Sequence, residues 1–187
     1  MNRLSEQNYP NLLIVAGTGR NSGKTSLVCR ICEEWSYSAP LVCIKISNHF
    51  HKLSSSHVLY KSGQFSIYEE TETISDKDTE RYLKAGASKV FFIEADRELV
   101  YIAFQKIREY LPLNAAIICE SGTLRRFIKP SVFVMIHTIG AEPKESAKDL
   151  LALADKVYNF EAGALKFPEI PIIFDDSTWK LNVYASN

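Results

Sequence analysis

The sequence predicts an α/β domain with a mostly parallel sheet flanked by helices. Short apolar runs alternate with amphipathic segments of helical spacing along the chain, which is the pattern of such domains. The first two apolar runs are joined by a glycine-rich loop and a helical segment, so they are expected to form a parallel β-α-β unit. At 187 residues with 46% apolar content, the chain suits one domain with a sizeable core. We expect a single domain over residues 1–187, with residues 176–187 either an edge strand or a loose tail.

The expected elements follow from these patterns in chain order. Leu27, Val28, Ile31 and Trp35 recur at helical spacing, which predicts the first helix. The same reasoning places Leu99, Ile102, Ala103 and Ile107 on one face of a later helix that Pro112 ends. The polar segment 47–79 has no clear period beyond a short run at 64–68, so we expect a functional loop there, with a short helix from residue 78. The expected strands are residues 12–16, 40–46, 89–93, 115–119, 131–137, 157–160 and 170–174, and the expected helices are residues 25–35, 78–84, 96–110 and 146–153.

Composition excludes several classes of partner. Basic and acidic residues each number 22, so no net field favours nucleic acid or an anionic membrane surface. The apolar runs are far shorter than the roughly 18 residues that a membrane helix needs, and the N-terminal residues carry no segment of signal-peptide type. The cysteines lie in apolar or helical surroundings, so we expect a reducing cytoplasm. Cys29 and Cys32 fall within the first helix, which favours core packing over structural zinc.

The loop at residues 17–25, Gly-Thr-Gly-Arg-Asn-Ser-Gly-Lys-Thr, predicts a phosphate-binding site. A loop between a strand and a helix points backbone N–H groups at an anion, and the helix dipole favours the same charge. Lys24 supplies a positive charge to the β and γ phosphates and is the expected catalytic cation, while the Thr25 hydroxyl is placed to coordinate Mg²⁺. The usual pattern G-x-x-x-x-G-K-[S/T] has glycine where Thr18 stands here. The residues expected to hold the nucleotide are Gly19, Arg20, Asn21, Ser22, Gly23, Lys24, Thr25 and Ser26.

Further candidates lie at the predicted carboxyl ends of strands, where parallel sheets place their ligands. Glu120 ends a buried strand, and its carboxylate is expected to bind Mg²⁺ and to act in catalysis; the alternative is a solvated strand end. Lys45 ends the second strand and is expected to contact the nucleotide. His49 and His51 are two residues apart just beyond it, so in an extended segment they share a face. They are candidates for contact with phosphate, metal or a pterin-like partner, and the alternative is simple exposure.

Two polar clusters have weaker interpretations. Asp76 and Asp78 are both candidates for outer Mg²⁺ or water-positioning groups, although Asp78, followed by Thr79 and Glu80, favours a helix N-cap. Arg125, Arg126 and Lys129 form a basic patch that either meets an anionic substrate or belongs to a solvated loop.

Residues 20–27 resemble the phosphate loop of molybdopterin-guanine dinucleotide biosynthesis protein B. Residues 44–51, 76–79, 82–87 and 115–122 are similar to further segments of that family in the same order, so the resemblance covers about residues 10 to 140. It implies a P-loop NTPase fold, GTP as the nucleotide, and a role as an adaptor in molybdenum cofactor biosynthesis with a molybdenum cofactor enzyme as partner. Related family behaviour also makes a homodimer an expectation.

Two alternatives remain open. The spacing from Gly17 to Thr25 is also similar to that of dethiobiotin synthetase, which implies ATP and the activation of a carboxylate by phosphorylation. The second alternative is that the protein is a binding module whose nucleotide is regulatory and is never hydrolysed. The sequence contains no N-K-x-D motif to identify guanine. The favoured expectation is Mg²⁺-dependent binding of a nucleoside triphosphate, GTP before ATP, with slow hydrolysis.

Overall fold

The computed structural model of the chain describes residues 8–50, 57–161 and 170–182. Eight strands form one sheet in the order β3-β4-β5-β2-β6-β1-β7-β8, and β9 and β10 form a second sheet of two strands. The strands are β1 (Asn8–Gly17), β2 (Leu41–Ser47), β3 (His57–Lys61), β4 (Phe65–Glu70), β5 (Lys89–Ala95), β6 (Ala116–Glu120), β7 (Lys129–Thr138), β8 (Lys156–Phe160), β9 (Ile172–Asp175) and β10 (Thr178–Leu181). The helices are α1 (Lys24–Trp35), α2 (Asp78–Lys84), α3 (Val100–Ile107) and α4 (Glu145–Leu151).

The central part of the large sheet is parallel, as the sequence predicts. All neighbours from β5 through β2, β6, β1 and β7 to β8 pair in parallel register. Strands buried on both faces are expected to be continuous apolar runs, and β1 shows why: Leu12 and Ile14 enter one core cluster, while Leu13 and Val15 enter the other. Residues of α1 and α2 belong to the second cluster and residues of α3 and α4 to the first. Helices therefore cover both faces, and no helix among the described residues is long and apolar enough to cross a bilayer.

The segment 47–79, expected to be a functional loop with minor structure, contains more regular structure than expected in its described part. Strands β3 and β4 form an antiparallel hairpin, and β4 pairs antiparallel with β5 at the edge of the sheet. Phe65 and Ile67 are buried in the core from this hairpin. Two short strands separated by Ser62, Gly63 and Gln64 carry too few alternating residues for a period to be visible in the sequence.

The predicted helix at residues 96–110 is shorter than expected. Its regular part is α3, and the residues on either side form single 3₁₀ turns, Arg97–Leu99 and Arg108–Tyr110. Its buried residues are Val100, Ala103, Phe104 and Ile107. Ile102 is 51% exposed, so placing it on the buried face was wrong.

The end of the described chain packs against the large sheet. Of the segment 176–187, residues 178–181 form β10, which pairs antiparallel with β9. Trp179 is 1% exposed and its indole Nε1 donates a hydrogen bond to the backbone oxygen of Ile117 at 3.1 Å. The Trp35 indole of α1 donates to the Ile172 oxygen at 3.0 Å. These two bonds attach the small sheet to α1 and to β6.

The cysteines are core residues. Cys32 and Cys43 are buried with their sulfurs 3.3 Å apart, and all four cysteines are free thiols. Burial raises the pKa of Cys29 to about 11 and also raises the pKa values of Cys43 and Cys119. The core-packing interpretation of Cys32 is confirmed, and neutral thiols of this kind are poor nucleophiles and poor metal ligands.

Candidate nucleotide-binding site

The loop between β1 and α1 is a tight turn that ends on a left-handed residue. Gly23 precedes the helix with φ of 88°, and Asn21 also has a positive φ, 54°. Glycine adopts the left-handed region without the steric cost that a Cβ imposes. At Gly17 a larger residue is excluded sterically, because a Cβ there would lie 2.2 Å from the Ser22 Oγ. The two glycines therefore allow the chain to fold back over its own strand and begin the helix.

Thr18, which departs from the usual glycine pattern, anchors this loop to β7. Its backbone N–H donates to the Ile136 oxygen at 2.9 Å, and its backbone oxygen accepts from the N–H of Lys144 at 3.2 Å. Its hydroxyl lies 3.2 Å from the His137 Nδ1, and the side chain is buried. Two backbone bonds thus fix the start of the loop, and the threonine hydroxyl adds a contact with His137 that glycine would not supply.

The side chain of Lys24, the first residue of α1, folds back against the loop. Its Nζ donates to the backbone oxygen of Gly19 at 3.0 Å and to the Ser22 Oγ at 3.3 Å. Burial lowers the pKa of Lys24, and the charge of Lys45 acts in the same direction, although the Glu120 carboxylate opposes both. A partly desolvated ammonium gains by pairing with an anion, so this lysine is suited to phosphate.

A network of charged and polar groups connects the loop to β2, β6 and α2. The Lys45 Nζ donates to Glu120 Oε1 at 3.0 Å and also to the Asp78 carboxylate. The Thr25 hydroxyl donates to Glu120 Oε2 at 3.1 Å, and the buried Tyr82 hydroxyl donates to the same oxygen. Glu120 and Lys45 are register partners on neighbouring parallel strands, so the sheet itself places them side by side. Three donors from three elements therefore fix one carboxylate directly beside the phosphate loop.

The charges in this network shift one another's pKa values. Burial alone lowers the pKa of Lys45, but the Glu120 carboxylate and the bond to Asp78 outweigh it, and the pKa is raised. Burial alone raises the pKa of Asp78, but the hydrogen bond and charge of Lys45 outweigh it, and the pKa is lowered. Burial first, and the neighbouring Glu120 second, raise the pKa of Tyr82 well above its usual value. Near neutral pH the network therefore holds an ammonium, a carboxylate of Asp78 and a neutral phenol.

The oxygens beside the loop fit a magnesium ion. Mg²⁺ usually takes one or two carboxylates, substrate phosphates and waters rather than a complete protein cage. Thr25 and Glu120 supply a hydroxyl and a carboxylate 3.1 Å apart, and Asp78 supplies a second carboxylate bound to the same lysine. Within the described ranges no group of three or more His, Cys, Asp or Glu forms a metal cage. The donor set thus suits an ion shared with phosphate oxygens.

A cavity of about 930 Å³ opens at this edge of the sheet. Most of the predicted site residues line it, whereas Asp76 does not. Asp76 is 95% exposed and its carboxylate lies 3.3 Å from the Lys84 Nζ, so the geometry does not support it as a metal ligand. His49 lies at the cavity with its backbone N–H bonded to the Ser47 hydroxyl, and His51 lies outside the described residues. The predicted residues at the cavity are Gly19, Arg20, Asn21, Ser22, Gly23, Lys24, Thr25, Ser26, Lys45, His49 and Glu120.

Helix α2 contributes Arg81 and Tyr82, which the sequence interpretation missed, and Asp78, for which it favoured a helix cap over a place in the site. The N-cap of α2 is Lys77, with no side-chain cap, so the interpretation of Asp78 as a cap is wrong and its carboxylate pairs with Lys45 instead. Arg81 donates to the Ser26 hydroxyl at 3.3 Å, and Tyr82 bonds Glu120. Asp78, Arg81 and Tyr82 are spaced by three and four residues, and this spacing was the available signal that they share one helix face.

The two arginines of the basic patch after β6 have different surroundings. Arg125 donates to the Ile128 oxygen at 3.1 Å and lies over the Phe133 ring at 5.5 Å, which is a structural position. Arg126 lines the cavity and donates to the Ser146 oxygen at the start of α4. One of the two arginines therefore faces the candidate site.

Comparison with known proteins supports the fold. No model of a known protein family and no curated protein matches the sequence. Among solved structures, the chain is similar to LpxK from Aquifex aeolicus, crystallised in complex with ATP, with a TM-score of 0.53 and 17% identity over 89% of this chain. The chain spans about half of LpxK, 53% of its length. The similarity, the parallel sheet and the loop at residues 17–25 together make this an α/β domain of the P-loop NTPase fold.

Proposed function

We propose that this protein binds a nucleoside triphosphate with Mg²⁺ and slowly transfers its γ-phosphoryl group to water. One observation carries the proposal: the phosphate loop lies directly beside the network of Thr25, Lys45, Asp78 and Glu120. A loop alone suits any anion, but a loop joined to carboxylates and a lysine suits a triphosphate with its metal ion.

Each residue has a role that follows from its position. The loop amides and Lys24 bind the phosphates and stabilise negative charge as it spreads over the γ-phosphoryl oxygens. Thr25, Glu120 and Asp78 are the groups that would hold Mg²⁺, which would supply positive charge to neutralise the phosphate oxygens. Lys45 keeps the Asp78 carboxylate ionised, bonds the Glu120 carboxylate, and lies where its ammonium can also pair with a phosphate oxygen. Tyr82 orients the Glu120 carboxylate from the buried side.

The nucleotide and the cellular process rest on the sequence resemblance. It favours GTP and a role as an adaptor in molybdenum cofactor biosynthesis, with a molybdenum cofactor enzyme as partner, in the cytoplasm and as a homodimer. Equal numbers of basic and acidic residues give no net charge that would favour nucleic acid or an anionic membrane as the partner instead.

A second candidate is an ATP-dependent enzyme that phosphorylates an acid, as the resemblance to dethiobiotin synthetase implies. The observation that favours it is the extent of the cavity, which continues from the phosphate loop to Arg97 and Phe127 beyond the ends of β5 and β6. A third, purely regulatory binding role is favoured by no contact in the site.

Single-turnover hydrolysis of GTP and of ATP, with and without Mg²⁺, tests the proposal. Because Glu120 is expected to act through the metal ion, Glu120→Gln should slow turnover about 10- to 100-fold while nucleotide affinity changes much less. Glu69→Gln is the matched control, since Glu69 lies on β4 and pairs with Lys89 outside the cavity. Equal losses of turnover and affinity would contradict the catalytic role of Glu120. Bound nucleotide that is never hydrolysed would refute the proposed hydrolysis and leave phosphorylation of an acid and a regulatory role as the alternatives.

A further inference from the structure

The carboxyl ends of β2, β5 and β6 are tied together on the side of the cavity away from the phosphate loop. The Asn48 amide Nδ2 donates to the Ala95 oxygen at 3.1 Å, and the Thr123 hydroxyl donates to the Asn48 Oδ1 at 2.8 Å. Asn48 follows β2, Ala95 ends β5 and Thr123 follows β6. These bonds fix three strand ends as one polar floor, and Asn48 and Thr123 both line the cavity.

This floor extends well beyond the phosphate loop. The sheet order β5-β2-β6-β1 places three strand spacings between the end of β5 and the end of β1, where the loop begins. At about 4.8 Å for each spacing, the cavity reaches roughly 14 Å across the sheet. A triphosphate held by the loop, with its metal ion at Glu120 on β6, leaves the region over β2 and β5 for another molecule.

The cavity as a whole, with the phosphate loop included, carries more basic than acidic side chains, which favours anionic ligands. Among the described residues that line the cavity, seven side chains are basic and four are acidic: Arg20, Lys24, Lys45, Arg81, Arg97, Arg126 and Lys144 against Asp78, Asp96, Glu98 and Glu120. Two of the carboxylates, those of Asp78 and Glu120, are already bonded to Lys45.

Two arginines of the cavity have guanidinium N–H groups that can donate hydrogen bonds to a ligand. Arg97, just past β5, is exposed and has no ion-pair partner within the described part of the chain. Arg126 has only a 3.9 Å contact with the highly exposed Asp149 and a bond to a backbone oxygen. The planar guanidinium matches a carboxylate or a phosphate with two parallel hydrogen bonds, which a lysine cannot do.

We propose that Arg97 and Arg126, with the Asn48–Thr123 floor between them, form a binding site for a second, small anionic ligand that carries a carboxylate or phosphate group. This inference rests on the proposed function, since the second ligand would lie next to the γ-phosphate of the nucleotide. It assigns the part of the cavity that the nucleotide leaves open, and it specifies that the recognised group of the ligand is an anion.

A titration with the phosphate loop already filled tests the second site alone. The protein is saturated with Mg²⁺ and the β,γ-imido analogue of GTP or of ATP, whichever binds, so that an added anion cannot enter the phosphate loop. Orthophosphate and, separately, malonate are then titrated and followed by protein-observed NMR. Wild-type protein is expected to bind at least one probe, and loss of both guanidinium groups in Arg97→Ala/Arg126→Ala should weaken that binding at least about 10-fold, because charge-assisted bonds are lost. The probe that binds more tightly identifies phosphate or carboxylate as the recognised group.

The control is Arg30→Ala, because Arg30 is an exposed arginine of α1 that pairs only with Glu33 and Glu34 and lies outside the cavity. It should bind both probes as the wild type does. Failure of the nucleotide-saturated wild type to bind either probe, or equal binding by the double variant, would overturn the second site while leaving nucleotide binding intact. Failure of the wild type to bind the imido triphosphate at all would refute the proposed function and this site with it.

Discussion

Replacing Lys45 with methionine removes the cation at the centre of the network and keeps a chain of similar length. Lys45 is 20% exposed and bonds both Glu120, which is 7% exposed, and Asp78, which is 41% exposed. Removing one partner of a buried pair costs about 3–5 kcal/mol, because the remaining charge stays buried without compensation. Water screens Asp78 here, and Glu120 keeps its bonds to Thr25 and Tyr82. We therefore expect Lys45→Met to lower the free energy of unfolding by about 2–3 kcal/mol, below the fully buried case.

Urea denaturation at neutral pH measures this loss, and an unchanged dependence on urea concentration would show that the fold is retained. Added Mg²⁺ should restore part of the stability, since a divalent cation can replace the ammonium between the two carboxylates. The matched control is Lys89→Met: Lys89 pairs with Glu69 at 3.1 Å on the surface, with side chains 42% and 24% exposed. Surface pairs of this kind contribute less than about 1 kcal/mol.

The stability that the pair of Lys45 and Asp78 contributes also depends on pH, in a direction that the pKa shifts predict. Lys45 lowers the pKa of Asp78, so the pair stabilises the fold above the usual aspartate range and that stability is lost as the pH falls through the lowered pKa. The raised pKa of Lys45 contributes stability below the usual lysine value of 10.5, which is lost as the pH rises through the raised pKa. The difference between wild type and Lys45→Met should therefore shrink in acid. A loss no larger than that of Lys89→Met at neutral pH would refute the argument.

Two further predictions concern the small sheet and the phosphate loop. Trp179→Ala should lower the free energy of unfolding in urea by about 3–5 kcal/mol, as large-to-small changes of buried aromatic residues do; a loss below about 1 kcal/mol would contradict the packing of β10 on the sheet. Because burial lowers the pKa of Lys24 and a triphosphate favours its charged form, nucleotide affinity should fall as the pH rises through that lowered pKa, which lies below 10.5. Fluorescence titrations of nucleotide between neutral pH and pH 10.5 measure this fall in affinity. A constant affinity across that pH range would contradict the role of Lys24.

Local sequence was sufficient to predict the parallel sheet and the phosphate loop. The apolar run of β1, the glycines and Lys24 lie within a few residues of one another, so a short segment specifies the strand, the turn and the helix start. The strand ends at Lys45 and Glu120 were also predictable, because parallel strands bring their carboxyl ends to one edge of a sheet.

Residues whose roles depend on distant partners were not predictable in the same way. Asp78 has the local pattern of a helix cap, but its partner Lys45 lies 33 residues earlier, and that ion pair determines its place in the site. Tyr82 bonds Glu120, which is 38 residues later. Asp76 and Asp78 carry the same side chain two residues apart, and only the start of α2 decides that Asp78 faces the cavity while Asp76 faces solvent.

The most direct test of a nucleotide site at this loop compares wild-type protein with Lys24→Ala in thermal unfolding with Mg²⁺ and either GTP or ATP. Lys129→Ala is the control, since Lys129 is an exposed lysine outside the cavity. A ligand that binds only the native state raises the unfolding temperature as its concentration rises. We expect that rise in wild type and Lys129→Ala with at least one of the two nucleotides, and its loss in Lys24→Ala at an unchanged unfolding temperature without nucleotide. No rise in the wild type with either nucleotide, or an equal rise in Lys24→Ala, would contradict the account.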